Sequence, residues 1–454
     1  MIAARLAAFV EAISFDSLPP EVVESVRRRM LDTLGIMLAG HGCPASRAAS
    51  AVAGGGADGD ALVGGTAAHA LDFDDTHLPS LVHPSCVIVP TALAAGAHSG
   101  ASGRDVIAAA AAGYEIVVRL GSATYDAQLG NTLLFERGFH PTSVCGTVAA
   151  SAVAAKLLGL QRTEIEAALT VSASTAAGLL EANRTGGTVK PLHAGWAARS
   201  GLAAARLAAA GMTGPTTAFE GRFGFFYAFC GDAADVDSAT ASLAEAWLTP
   251  NIHVKPYPAN HFTHAGIDAA RLLREGYRLD RTAIEHIELR VPAPALRTIG
   301  EPIDVKRHPP TGYAARFSGP HTVAVALLGG TGLGLGHADV SDARAADPAV
   351  RQLAARVRCC ADAELESLFP RSLPATVELT LTDGTRLRRT VTENRGGLQW
   401  PLSETELAVK LSDNLSQAGR ISELERLTSL CERLDTLERV SDLARYLRGS
   451  PQGC

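Results

Sequence analysis

The 454-residue chain has no extended run of basic residues, and its 41 Lys and Arg are outnumbered by 47 Asp and Glu, for a formal charge of −6. Affinity for nucleic acid needs a concentrated basic face, so a groove or backbone reader is excluded. No C-x-x-C occurs among the eight cysteines, and Cys359 and Cys360 are adjacent. That pattern makes neither a disulfide framework nor a zinc knuckle. Cys43, Cys86, Cys145 and Cys230 sit among Ala, Val and Gly, where a thiol is a small hydrophobe. The least polar long run, Pro141 to Ala155, ends at Lys156 and falls short of the ~18–20 residues a bilayer span requires. The opening MIAARLAAFVEAISFD is broken by Glu11 and reads as an amphipathic helix, not a signal peptide. The expected compartment is the cytoplasm, with no membrane and no nucleic-acid partner.

Cofactor motifs are lacking too. Gly329–Gly336 (GGTGLGLG) has the glycines of a phosphate loop but not the Lys-Ser/Thr, following helix or downstream acid that such a loop needs, and reads as a loop after a helix. His261, His264 and Asp268 have metal-ligand character, yet no H-E-x-x-H or Cys partner accompanies them, so no metal is assigned. No G-x-S-x-G elbow is present to support a serine hydrolase.

What is present is a long helical pattern with one interruption. The apolar spacing from Pro20 to Gly40 is helical, with Pro20 in the first turn and Gly40 suited to the C′ position. Capping boxes at Ser102/Asp105 and Thr163/Glu166 open helices running to Gly121 and Gly178. Ala/Gly-rich helices around Thr91–Gly100, Thr142–Gly159 and Ala194–Gly211 carry almost no charge on any face, which marks them as central. From about Asn251 the pattern becomes α+β: a strand at Ile284–Pro292, helices at Pro320–Leu328 and Ala345–Val357, and a hairpin from Ala375 to Val391 about Asp383-Gly384. After Pro401 the chain reads helical again. At this length two domains are expected.

The stretch from Leu71 to Pro90, LDFDDTHLPSLVHPSCVIVP, packs Asp72, Asp74 and Asp75 with His77, His83 and Thr76 between apolar flanks. Carboxylates cannot be buried there without partners, so the segment is expected to line a wet or ligand-filled cavity; a helix N-cap at Asp75 or Thr76 is the plainer alternative. Three further polar islands interrupt apolar helical sequence: Gly138–Thr142, Ala182–His193 and Lys255–His264. Acids, imidazoles and lysines without a cofactor suit proton transfer next to a carboxylate. Dehydration, decarboxylation and epimerisation share that carbanion.

Seven ordered blocks resemble the MmgE/PrpD family: LDTLGIMLAG, LDFDDTHLPSLVHPS, ERGFHPTSVCGT, GLLEANRTGGTVKPLHAGWAA, KPYPANHFTHAGIDAA, YAARFSGPHTVAVALLGG and ENRGGLQWPLS. The family includes 2-methylcitrate dehydratase, cis-aconitate decarboxylase and iminodisuccinate epimerase. The resemblance implies a mainly α protein with an α+β lid: a helical domain built from residues 1–251 and 396–454, a lid from residues 252–395 inserted between them, a cleft at their junction, a homodimer, and catalysis without metal or organic cofactor. Position by position, the implied catalytic residues are Asp72, His83, His140, Lys190 and Lys255, with His261 one place from a lid histidine of some relatives. Thr76 is an implied substrate-binding residue; Arg184, His264, His321 and Arg395 are expected further substrate-binding residues, the two arginines as carboxylate clamps because a guanidinium binds a carboxylate bidentately. His140 or His83 would transfer the proton, with Asp72 orienting one of them. His321 stands where many relatives have Tyr, and Leu398-Gln399-Trp400 replaces a usual Pro. The expected activity is dehydration of a 2-methylcitrate-like hydroxy acid, with epimerisation, decarboxylation and simple acid binding as alternatives.

Overall fold

The structure, a computed structural model, describes residues 1–182, 187–277 and 279–449. It divides into two compact units. The first comprises residues 1–70, 74–252 and 418–454; the second comprises Leu71–Phe73 and His253–Gln417.

The first unit is helical: α1 (Ile2–Ala12), α2 (Pro20–Gly40), α3 (Pro44–Val52), α4 (Gly56–Ala68), α5 (Ser85–Ser99), α6 (Gly103–Ser122), α7 (Pro141–Leu157), α8 (Arg162–Thr175) and α9 (Val189–Ala209). As the uncharged sequence implies, α5 and α7 are buried around nearly their whole circumference. Small residues set how closely these helices approach. A Cβ on Gly65 of α4 would lie 2.7 Å from the Cα of Gly195 in α9, and one on Gly195 would lie 2.1 Å from the Leu62 carbonyl oxygen. Gly201 makes the same kind of approach to α7, where a Cβ would sit 2.4 Å from that of Ala150. Gly40 is not a C′ residue. It is the last residue of α2, and the close passage of Ala67, whose carbonyl oxygen would be 2.1 Å from a Cβ, requires the glycine.

The second unit has a four-stranded sheet of β1 (Ile284–Val291), β2 (Val357–Ala361), β3 (Ala375–Leu381) and β4 (Arg386–Val391), in the order β2-β1-β3-β4. β1 is parallel to β2 and antiparallel to β3, with Leu289 opposite Val377. The β3–β4 hairpin turns through Gly384 at φ +85°, as the Asp-Gly signal predicts. Apolar residues of β1 and β3 join α10 (His264–Gly276) and α11 (Gly319–Leu328) in one core. The helix expected at Ala345–Val357 is broken. Pro348 cannot donate to the preceding turn, Asp347 caps a new helix by accepting from the Ala349 amide at 2.8 Å, and Val357 already belongs to β2. Likewise α8 is capped by Gln161 and Glu164, not by Thr163 and Glu166, and it ends at Thr175. α12 (Glu404–Gln417) completes this unit.

Candidate active site

In the first unit the close α4–α9 packing sets the C-cap residue of α4, His69, among the opening turns of other helices. The His69 ring lies 5.3 Å from that of His140 at 25° and 5.2 Å from that of His83. His140 is the N-cap residue of α7, and its Nδ1 is 3.2 Å from Nδ1 of His193 in α9. His83 directly precedes the α5 cap Pro84, and its amide donates to Thr142 Oγ1 at 2.9 Å. Four imidazoles thus gather where α5, α7 and α9 begin. Helix N-termini carry partial positive charge and unpaired amides, so this is a place for an anion. Lys190, in the first turn of α9, adds a full positive charge close enough to perturb His140 and His193.

Burial pushes His140 well below the usual imidazole range, assisted by the neighbouring His69, Lys190, His193 and His83. Burial, then His69 and Lys190, take His193 down to about 4. Both are neutral at pH 7. The carboxylate bonded to an imidazole here is that of Asp74: its Oδ2 lies 2.7 Å from His69 Nδ1 and 3.8 Å from His83 Nδ1. His83 Nδ1 donates to the Asp75 carbonyl at 2.8 Å and lies 3.2 Å from Thr76 Oγ1. Asp75 serves the scaffold: it pairs with Arg29 at 3.0 Å and accepts from the Ser85 amide at the start of α5. Asp75 is not an N-cap residue, because the cap position of α5 is Pro84; it meets the first amide of that helix from ten residues upstream.

His69, Asp74 and Cys86 form one possible metal-donor triad among the described residues, with donor atoms within 4.8 Å. The Cys86 thiol donates to the His83 carbonyl at 3.1 Å, and burial beside Asp74 pushes its pKa well up. A thiol held protonated is a poor ligand.

In the second unit three cations hold three consecutive carbonyls. Arg316 donates to Leu71 O at 2.7 Å, Lys255 to Asp72 O at 3.0 Å and Lys410 of α12 to Phe73 O at 3.2 Å. They fix Asp72 in the left-handed region at φ +52°, which few side chains tolerate and Asp tolerates better than most. Lys255 is fully buried, with Nζ 3.5 Å from Asp72 Oδ1. His264 donates from Nε2 to Ala259 O at 3.0 Å, and its ring lies 4.5 Å from that of His261, tilted at 38°. Burial, and then Lys255, take His264 down to about 3.

Two expected substrate contacts have other partners. The Arg395 guanidinium donates to Tyr257 Oη at 3.0 Å and Leu333 O at 3.1 Å and is paired with Glu406, so it is spent inside this unit. His321 donates to Asp339 O at 2.9 Å, and Asp339 in turn closes the glycine loop through the amides of Thr331 and Gly336 at 2.6 and 3.0 Å. That loop follows α11 and is filled by a carboxylate of the chain itself. Arg184 lies outside the described residues. Sequence reasoning does not single out His69, His193, Lys410 or Arg316. His69 stands only two residues before the acidic stretch, and a lone imidazole in an Ala/Gly run is the available signal.

The MmgE/PrpD N-terminal domain matches residues 4–237, and the MmgE/PrpD C-terminal domain matches residues 257–436. Cis-aconitate decarboxylase of Homo sapiens is 32% identical over 406 residues, covering 86% of this chain and 79% of that protein. The cis-aconitate decarboxylase-like protein oryM of Aspergillus oryzae is 26% identical over 487 residues, covering 99% of this chain and 97% of that protein. Cis-aconitate decarboxylase of Aspergillus terreus is 27% identical over 401 residues, covering 84% of this chain and 80% of that protein. The family expectation drawn from the seven blocks therefore holds, and the chain belongs to the MmgE/PrpD family.

Proposed function

We propose that this chain is a lyase that removes one carboxyl group from a small unsaturated tricarboxylate of the cis-aconitate type. The observation that carries the reading is the gathering of four imidazoles and Lys190 at the positive ends of α5, α7 and α9. A multiply charged acid needs such a field, and the neutral His140 and His193 can donate hydrogen bonds to it without titrating. Loss of carbon dioxide leaves an electron pair that a neighbouring carboxylate takes up as a dienolate, which an imidazole then protonates. In this reading Lys190 holds a substrate carboxylate.

The sequence alone favours dehydration, which shares the carbanion but starts from a hydroxy acid; the relatives, named as cis-aconitate decarboxylases, move the preference to decarboxylation. The test is carbon dioxide release from carboxyl-labelled cis-aconitate, run beside citrate and 2-methylcitrate. Release from cis-aconitate supports the proposal. Water loss from 2-methylcitrate without release would replace it with a dehydratase. A homodimer is part of the same proposal: Val189, Trp196 and Leu207 fall on one stripe of α9 and are 46%, 46% and 41% exposed.

A further inference from the structure

The lyase reading requires one group to deliver a proton to the reacting carbon. Resting on that reading, we infer that His69 is this group, its Nε2 exchanging the proton while Asp74 holds Nδ1 and balances the charge of the imidazolium. Both side chains are buried, His69 at 3% and Asp74 at 1% exposure. With Nδ1 hydrogen-bonded to a carboxylate at 2.7 Å, the ring is oriented and its tautomer set, so chemistry is directed to Nε2. That Nε2 is buried and has no hydrogen-bond partner among the described residues. A His–Asp pair that served only the core would meet both ring nitrogens, because an unmet buried polar atom costs about 1–3 kcal/mol.

The other imidazoles are less suited. His140 and His193 share their Nδ1 atoms at 3.2 Å and are held neutral at pH 7 by burial. The Nδ1 of His83 is bound to a backbone carbonyl. In the proposed step the bond between the departing carboxylate and its carbon breaks and carbon dioxide leaves. The electron pair moves across the double bond to the carbon α to a remaining carboxylate. That carbon takes the proton from Nε2, and His69 regains one from water. Asp74 stays ionised throughout, and the sum is tricarboxylate plus one proton to dicarboxylate plus carbon dioxide.

The test compares His69→Gln, His69→Gly and Asp74→Asn with the unchanged chain. His69→Gln should lower kcat with cis-aconitate by roughly 10²–10⁴-fold, with the Kd for tricarballylate, the saturated analogue, within about 3-fold. Added imidazole should restore part of the activity of His69→Gly, which loss of a purely structural ring would not allow. Asp74→Asn, as the positioning variant, should lower kcat with cis-aconitate while KM stays within about 3-fold. Retention of more than about a third of kcat in His69→Gln would overturn the inference. If the unchanged chain releases no carbon dioxide, the lyase reading falls and His69 is judged separately. Its Nε2 resonance in ¹⁵N-histidine spectra should shift on adding tricarballylate, and an unmoved resonance would overturn the assignment.

Discussion

The ammonium of Lys410 lies 3.2 Å from the carbonyl oxygen of Phe73 and 4.2 Å from the centre of the Phe73 ring. One side chain thus holds both the backbone and the face of the residue that follows Asp72. Lys410→Met leaves a buried carbonyl unmet and abolishes the cation–π attraction, each about 1–3 kcal/mol at most. The expected result is a thermal midpoint lowered by several degrees, while Lys410→Arg retains most of the stability. An unchanged midpoint for Lys410→Met would show that the Leu71–Phe73 segment does not depend on it.

Asp72 separates conformation from charge. Asn tolerates the left-handed region nearly as well as Asp, so Asp72→Asn should leave the fold intact by circular dichroism. Loss of the carboxylate 3.5 Å from the buried Lys255 should leave that ammonium with one partner fewer and lower the thermal midpoint. Asp72→Val, which cannot adopt φ +52° without strain, should also lose stability.

Acid should destabilise the protein through its buried imidazoles. His193 is taken down to about 4 and His264 to about 3, in each case chiefly by burial, whereas the unfolded value is about 6.5. Between those values the unfolded chain binds the extra proton, so stability is full above pH 6.5 and falls as pH drops toward 4, by up to about 1.4 kcal/mol per pH unit for each such group. Thermal melts from pH 7.5 to 4.5 should show this slope, and His264→Gln should flatten it. A midpoint independent of pH over that interval would contradict the assignment of neutral buried rings.

The α4–α9 contact carries the geometry of the imidazole cluster. Gly195→Ala places a methyl group where the Leu62 carbonyl oxygen and Thr66 Oγ1 already stand, 2.1 and 2.3 Å away. Overpacking of this kind costs about 1–3 kcal/mol, and displacement of α9 moves Lys190 and His193 with it. Activity should therefore fall more steeply than stability, read as kcat/KM against the thermal midpoint.

If the exposed stripe of α9 is a subunit contact, Trp196→Glu should yield monomers in sedimentation equilibrium where the unchanged chain is dimeric. A monomeric unchanged chain would remove the dimer from the proposal.

The sequence shows a reader those elements whose local chemistry agrees with their final state. The helix from Pro20 to Gly40, the Ser102/Asp105 cap and the Asp383-Gly384 hairpin are of this kind. α4 is the opposite case: GADGDALVGGTAA holds four glycines, each unfavourable in an isolated helix, and only packing against neighbours explains it. The same packing makes His69 part of a cluster that no spacing in the sequence reveals. Lys410 sits in ETELAVKLSDNLSQ, where a lysine reads as a solvated face, and its burial against Phe73 depends on a contact across 337 positions. Arg395 illustrates the converse case. A lone arginine in a glycine-rich loop looks available for a ligand, yet Tyr257, Leu333 and Glu406 already occupy it.

The most direct test of the central proposal is proton NMR of the purified protein with cis-aconitate in deuterium oxide. The account predicts loss of the substrate vinyl signal, appearance of the two vinylidene protons of methylenesuccinate, and one deuterium in its methylene group. An unchanged cis-aconitate spectrum, with water elimination from 2-methylcitrate in a parallel sample, would contradict decarboxylation and assign the site to dehydration.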